Sequence, residues 1–324
     1  MSSKPNIVIL GDYERALRRF SNWDNLDKLT NISIHHQALL DESLYEAIKD
    51  ADAIVIVRDR APLNAAMIAR LTKLKFLMFT GARNGTLDTS ALTSRNIPIA
   101  CSPGGPSKES TTELTWALIL GASKRLLEEN KVISSGGWRD ELSVLPLLAG
   151  ERLGVMGLGS IGSRVAKVGL AFGMEIVTWS PRMTPERAAA ENAKSVSLEE
   201  LLKTSKVVTM HLVAGPGSKG LIGQNELAMM RTDSILVNTS RSTLINMPEL
   251  LNGLESGRPG QAAIDVFDIE PLPLNSSLRN TPNLLVTPHL GFVAEPIMKS
   301  FAHKVTETLE AWIAGKPIPH PFVP

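Results

Sequence analysis

The stretch at residues 153–171, LGVMGLGSIGSRVAKVGLA, restricts the folds open to this chain more than any other. Gly157, Gly159 and Gly162 stand there in the order G-x-G-x-x-G. The residues before them form an apolar run suited to a buried parallel strand, and Ile161, Val165 and Val168 recur at helical spacing after them. A glycine triplet where a strand turns into a helix is the pattern of a dinucleotide site. Gly157 makes the tight turn, Gly159 lets backbone approach a pyrophosphate, and Gly162 lets the helix lie close to the strand. The helix start then turns unpaired N–H groups and a positive dipole end toward the phosphates.

A chain of 324 residues is long for one core, so two domains are expected. Alternating strand and helix patterns mark an α/β protein with two doubly wound parallel sheets. In the first half, strands are expected at residues 6–10, 31–36, 53–57, 76–80 and 97–100, with helices at 41–48 (Asp41 as N-cap), 63–71 and 87–94. The proline- and glycine-rich segment 102–106 reads as a domain crossing, and 109–133 as one long helix. Residues 139–150 read as an irregular connection. From residue 153 the alternation restarts, with strands at 153–156, 175–179, 206–211, 234–238, 262–266 and 284–287. Helices are expected there at 161–171, 197–203, 224–230 and 248–256, then a final helix at 294–314 and an exposed proline-rich tail.

Lys and Arg (34) nearly balance Asp and Glu (33), which excludes a basic nucleic-acid surface. The single cysteine, Cys101, excludes an intramolecular disulfide framework and a cysteine-based zinc site, and fits a reducing, cytoplasmic compartment. No metal site is expected. No apolar run is long enough for a signal peptide or a membrane span, so no membrane partner is expected.

About twenty residues after such a glycine turn, an acidic residue usually holds the ribose hydroxyls. Here the strand end reads V-T-W-S-P-R, with Ser180 and Arg182 in place of an acid. A guanidinium suits a 2′-phosphate that a carboxylate would repel, so the cofactor is NADP or NAD with the balance toward NADP. Three later strand ends carry Arg241, then Asp265, Asp268 and Glu270, then His289. Ligands of open α/β sheets bind beyond the carboxyl ends of the strands, where an arginine, an acid and a histidine together could reduce a carbonyl.

These residues lie in a longer series: VRDRAP, FTGARNGTLD, SPGG, TTELTWALIL, GLGSIG, NTSR, DVFDIEPLP and TPHLG. The chain resembles the D-isomer-specific 2-hydroxyacid dehydrogenases over residues 57–291. The resemblance implies a Rossmann-type NAD(P) domain at 102–291. It also implies a split, flavodoxin-like substrate domain formed by 1–101 and 292–324. It further implies a homodimer and a hydride exchange between NAD(P)H and a small 2-oxo acid or D-2-hydroxy acid, as in glyoxylate and hydroxypyruvate reductases. Arg241 corresponds to the substrate anchor, Glu270 to the acid paired with histidine, and His289 to the proton donor. Asp265 corresponds to the aspartate that holds the nicotinamide amide, and Ile161 to a residue against the cofactor. Ser160, His211, Thr239 and Gly291 complete the implied cofactor set. The backbone amides of Ala82, Arg83 and Asn84 correspond to the carboxylate cradle, with Arg60 as a further substrate contact.

Four positions depart from the family pattern: Ser242 in place of glycine, Val213 in place of proline, Asn246-Met247 in place of an acidic residue, and Phe292-Val293 in place of small residues. A nucleotide-sensing regulator on the same scaffold is the alternative to an enzyme. A methyltransferase does not require the Arg241, Glu270, His289 order.

Overall fold

The computed structural model describes residues 4–103, 105–139 and 144–323. Gly104 of the expected crossing, residues 140–143 of the expected connection and Pro324 of the tail lie outside the described residues. The chain forms two compact units, one from Met1–Pro106 with Ala294–Pro324 and one from Ser107–Val293. The boundaries fall a few residues beyond the expected 101/102 and 291/292.

The first unit opens with β1 (Asn6–Leu10), α1 (Ala16–Phe20), α2 (Asp24–Leu29), β2 (Asn31–His35) and α3 (Asp41–Ile48). It continues through β3 (Ala53–Ile56), α4 (Ala65–Arg70), β4 (Phe76–Thr80), α5 (Thr89–Thr93) and β5 (Ile99–Ser102). The strands are parallel in the order β2-β1-β3-β4-β5, which is the flavodoxin-like winding. Alternate residues of the inner strands face opposite ways. Val8, Leu10, Ile54, Ile56, Leu77 and Phe79 pack with Leu44, Ile48, Ile68 and Leu92 of the helices. Residues Ile297, Phe301, Val305 and Leu309 bury one stripe of the final helix. Its Trp312 stacks on Phe76 of β4, with ring centroids 5.5 Å apart.

The second unit contains α6 (Ser107–Ser123), α7 (Leu126–Ser134), β6 (Arg152–Met156), α8 (Gly162–Ala171), β7 (Glu175–Trp179), α9 (Pro185–Ala189) and β8 (Lys194–Ser195). After these come α10 (Leu198–Thr204), β9 (Val207–Met210), α11 (Gln224–Met229), β10 (Ile235–Asn238), α12 (Met247–Glu255), β11 (Gln261–Ile264) and β12 (Leu284–Val286). The last helix, α13 (Glu295–Ile313), returns to the first unit. The seven strands are parallel in the order β12-β11-β10-β9-β6-β7-β8, the Rossmann winding with one strand added. Leu153 and Val155 of β6 face Trp116 and Ile119 of α6 and Val165 of α8, whereas Met156 joins the core under α10–α12.

Four expectations differ from the structure. The helix expected at 109–133 is two helices, α6 and α7, parted at Lys124 and Arg125. Arg125 adopts a left-handed φ of 51°, and the Lys124 ammonium donates to the Pro146 carbonyl, a contact that local periodicity does not encode. Asp41 does not cap α3. It sits in the left-handed region at φ 49°, and the Ser43 hydroxyl bonds both the Leu40 N–H and the Leu40 carbonyl. The tail is not free of the sheet: Cys101 N–H donates to the His320 carbonyl at 3.0 Å and Phe322 N–H to the Ile99 carbonyl at 2.9 Å. Phe322 also meets Phe79 edge-on, so the tail covers the exposed edge of β5. Finally, α1, α2, α9 and β8 were not expected. They are short, and α1 depends on the Asp12 carboxylate accepting from the Ala16 and Leu17 amides. Among the described residues, no helix is long and apolar enough to cross a membrane.

Candidate active site

The glycine turn joins β6 to α8. Gly157 has φ 95°, and a Cβ there would lie 2.9 Å from the His211 carbonyl, so glycine is required on both counts. A Cβ on Gly162 would collide with the Gly157 carbonyl and lie 3.1 Å from Val155, which explains how α8 reaches the strand so closely. Gly159 is different. A Cβ there would meet nothing within 4 Å, so packing does not demand glycine. The bare backbone beside an uncapped helix start fits a pyrophosphate approaching the amides. Ser160 is exposed and Ile161 half-buried at this start.

The end of β7 lies alongside, since Gly157 N–H donates to the Trp179 carbonyl at 2.9 Å. Ser180 follows half-buried and Arg182 exposed. The backbone of this segment is braced, with Met183 N–H donating to the Ser180 carbonyl and Arg187 to the Arg182 carbonyl at 2.7 Å. His211 follows β9 with its Nε2 2.9 Å from the Thr209 hydroxyl, and burial holds its imidazole down to about 4. Thr239 shares a 2.8 Å hydrogen bond with Thr115 of α6.

Arg241 stands just past β10. Its turn is fastened by the fully buried Asn238, whose side chain donates to the Arg241 carbonyl and accepts from Ser240 N–H. The guanidinium is exposed, with one nitrogen donating to the Ser240 carbonyl. Glu270 receives Phe267 N–H on Oε1 at 2.9 Å and lies 2.7 Å from His289 Nδ1 through Oε2. Burial pushes the Glu270 carboxyl up. The hydrogen bond and charge of His289, the Phe267 amide and the charge of Arg241 outweigh that, and the net position is below the ordinary range. An ionised Glu270 can only accept, so Nδ1 carries the proton and Nε2 is the ring nitrogen left to exchange one. The structure therefore brings Arg241, Glu270 and His289 into one electrostatic group.

The His289 loop is held by Asp265. This fully buried carboxylate accepts from the Thr287 hydroxyl at 2.6 Å, Leu290 N–H at 2.8 Å and Gly291 N–H at 3.0 Å. Burial pushes its carboxyl up, opposed by those three donors. Gly291 in turn accepts from Thr111 of α6. Phe292 meets the His289 ring edge-on, with centroids 5.6 Å apart. Sequence reasoning missed Asn238, Thr287 and the clamping geometry of Asp265, although N-T-S-R and T-P-H-L-G contain those residues.

Of the departures, Ser242 begins a short 3₁₀ turn without a left-handed φ, so a side chain is accommodated there. Asn246 caps α12 by accepting from Glu249 N–H, the service an acid would perform. Val213 is exposed.

Arg60, Ala82, Arg83 and Asn84 belong to the first unit. Arg60 grips both oxygens of Glu14 at 2.7 and 2.6 Å and donates to the Gly11 carbonyl. Ala82 and Arg83 are exposed. Asn84 donates to the Arg58 carbonyl and accepts from Thr86, which shapes the loop after β4.

Residues 116–291 match the family model described as D-isomer specific 2-hydroxyacid dehydrogenase, NAD binding domain. The chain is similar to a glyoxylate reductase of Aeropyrum pernix, with 32% identity over 86% of this chain and 85% of that one. It is also 32% identical to a D-3-phosphoglycerate dehydrogenase of Methanocaldococcus jannaschii over 86% of this chain, which spans about half (53%) of that longer relative. Among solved structures, a putative D-3-phosphoglycerate dehydrogenase oxidoreductase from Ralstonia solanacearum superposes with a TM-score of 0.85 at 28% identity, covering 98% of both chains.

Proposed function

The chain belongs to the D-isomer specific 2-hydroxyacid dehydrogenase family, and on that premise we propose that it exchanges a hydride between NAD(P)H and a small 2-oxo acid or D-2-hydroxy acid. The observation that carries this reading is the 2.7 Å contact between His289 Nδ1 and Glu270, with the charge of Arg241 acting on the same carboxylate.

Hydride chemistry is what a nicotinamide dinucleotide supplies when bound. The glycine turn, Thr239 and the β7 end would hold it, with Arg182 toward a 2′-phosphate. The chain's own residues do the rest. Arg241 pairs with the substrate carboxylate and draws negative charge onto the carbonyl oxygen. His289 delivers a proton from Nε2 to that oxygen. Glu270 fixes the ring and its tautomer. The resemblance further implies a substrate-binding role for the amides of Ala82, Arg83 and Asn84, with Met1–Pro106 and Ala294–Pro324 as the substrate domain. Phe292 against His289 favours a small acid, so glyoxylate and hydroxypyruvate come first.

A homodimer in the cytoplasm completes the reading. Its support is α7, which buries none of its residues and exposes Leu126, Leu127 and Ile133. Light scattering reads the oligomeric state, and a monomer at micromolar concentration refutes it.

Steady-state oxidation of NADPH and NADH with a panel of 2-oxo acids tests the proposal. Turnover with NADPH ahead of NADH is expected. Far better use of NADH refutes the role given to Arg182. Tight nucleotide binding without turnover indicates the regulator.

A further inference from the structure

The first unit carries a second set of convergent polar groups, none of them in the set assigned above. A cavity of about 330 Å³ opens at the carboxyl ends of β1 and β2, lined by Tyr13, Arg15, His35, His36 and Gln37. Ile34 and Leu39 supply its apolar wall. That volume lies at the small end of ligand pockets, and open α/β sheets bind ligands beyond their strand ends.

The charges around it are unevenly committed. Both neighbouring acids are taken. Asp12 is buried and accepts from the Ala16 and Leu17 amides, and Glu14 is gripped by Arg60. Of the cationic groups, His36 is committed to Asp12, and Arg15 and His35 are not. Arg15 is exposed, and neither its guanidinium nor the His35 imidazole makes a hydrogen bond or ion pair among the described residues. His36 is pinned with Nδ1 2.7 Å from the Asp12 carbonyl. Tyr13 is braced from behind by the Arg60 guanidinium, 4.3 Å from its ring centre, so one wall is already ordered before any ligand arrives. Burial and the charge of His36 both disfavour a charged His35, a repulsion that an anion between them would relieve.

We propose that this cavity binds a small organic molecule through carboxylate or phosphate oxygens, with Arg15 as the charge-bearing contact and His35 as a hydrogen-bond donor. Arg15 offers paired N–H donors to two oxygens of such a group. His35 donates a further hydrogen bond, while Ile34, Leu39 and the Tyr13 ring take the ligand's carbon skeleton. This binding does not depend on the dehydrogenase reading.

Isothermal titration of the full chain with citrate, and separately with inorganic phosphate, tests it, with chloride at matched ionic strength as blank. Saturable binding of either is expected, and which of the two binds identifies the oxyanion. Arg15→Gln and His35→Gln should each weaken binding about tenfold, the loss of one charge-assisted contact. Arg241→Gln should leave it intact, and Arg15→Gln should leave anion-free turnover unchanged. Where Arg15→Gln does not fold, His35→Gln decides alone, and unweakened binding in that variant overturns the proposal. No saturable heat with either anion, or a loss that follows Arg241 rather than Arg15 and His35, overturns it as well.

Discussion

His289 occupies the left-handed region, at φ 55°, where a residue with a side chain is uncommon. Three donors onto Asp265 from the surrounding loop hold it there. The ring is then aligned on Glu270 and flanked by Phe292, so its orientation is fixed by neighbours on both sides. Replacing His289 with Gln should lower kcat by about 10²–10⁴ with the fold intact by circular dichroism. An unchanged rate refutes its role as proton donor. Glu270 makes a pH prediction. Its folded carboxyl lies below the ordinary glutamate value of about 4.3, so folding favours the ionised form. Its stabilisation is therefore fully present above the ordinary value and is lost as pH falls through the folded one. In a series of thermal midpoints against pH, Glu270→Gln should lose part of the acid-side decline that the parent shows; superimposable curves contradict the pairing. At this scale the sequence already named the residue types in order. It did not disclose that Asp265 spends both oxygens on the loop, or that Arg60 is engaged with Glu14.

At the scale of elements, β6 and α8 meet through two glycines that sterics require and one that sterics do not. This separates stability from binding. Gly162→Ala drives a methyl into the Gly157 carbonyl and should cost about 1–3 kcal/mol in denaturant unfolding. Gly159→Ala meets open space and has no left-handed φ, so stability should hold within about 0.5 kcal/mol while nucleotide affinity falls. Equal losses of affinity with no loss of stability in the Gly162 variant argue against the packing account. Strands such as β6, β9 and β10 were legible because short apolar runs with turn signals are local. The break between α6 and α7 was not, because the one glycine from 109 to 133, Gly121, lies inside α6, and neither glycine nor proline stands at Lys124 and Arg125, where Lys124 reaches Pro146.

At the scale of the whole molecule, the first unit is closed by residues that follow the second in sequence. Trp312 of α13 stacks on Phe76, and Phe322 lies on Phe79, both on β4, the strand next to the edge strand β5. Trp312→Ala should lower unfolding stability by about 2 kcal/mol, below the full cost for a buried aromatic because Trp312 is only half-buried. Nucleotide affinity, set by the Ser107–Val293 unit, should not change. A shift in that affinity with unaltered stability refutes this division.

The amino-acid order alone determined the two parallel α/β windings, the position of the glycine turn and the succession of arginine, acid and histidine at strand ends. Periodicity, chain reversal and residue chemistry are properties of neighbouring residues, so they can be read without coordinates. Only the tertiary structure decided which carboxylate meets which cation, which oxygens of Asp265 are spent, and how the tail pairs with β5. Those outcomes depend on residues tens to hundreds of positions apart, brought within about 3 Å by packing, and no local pattern carries that information.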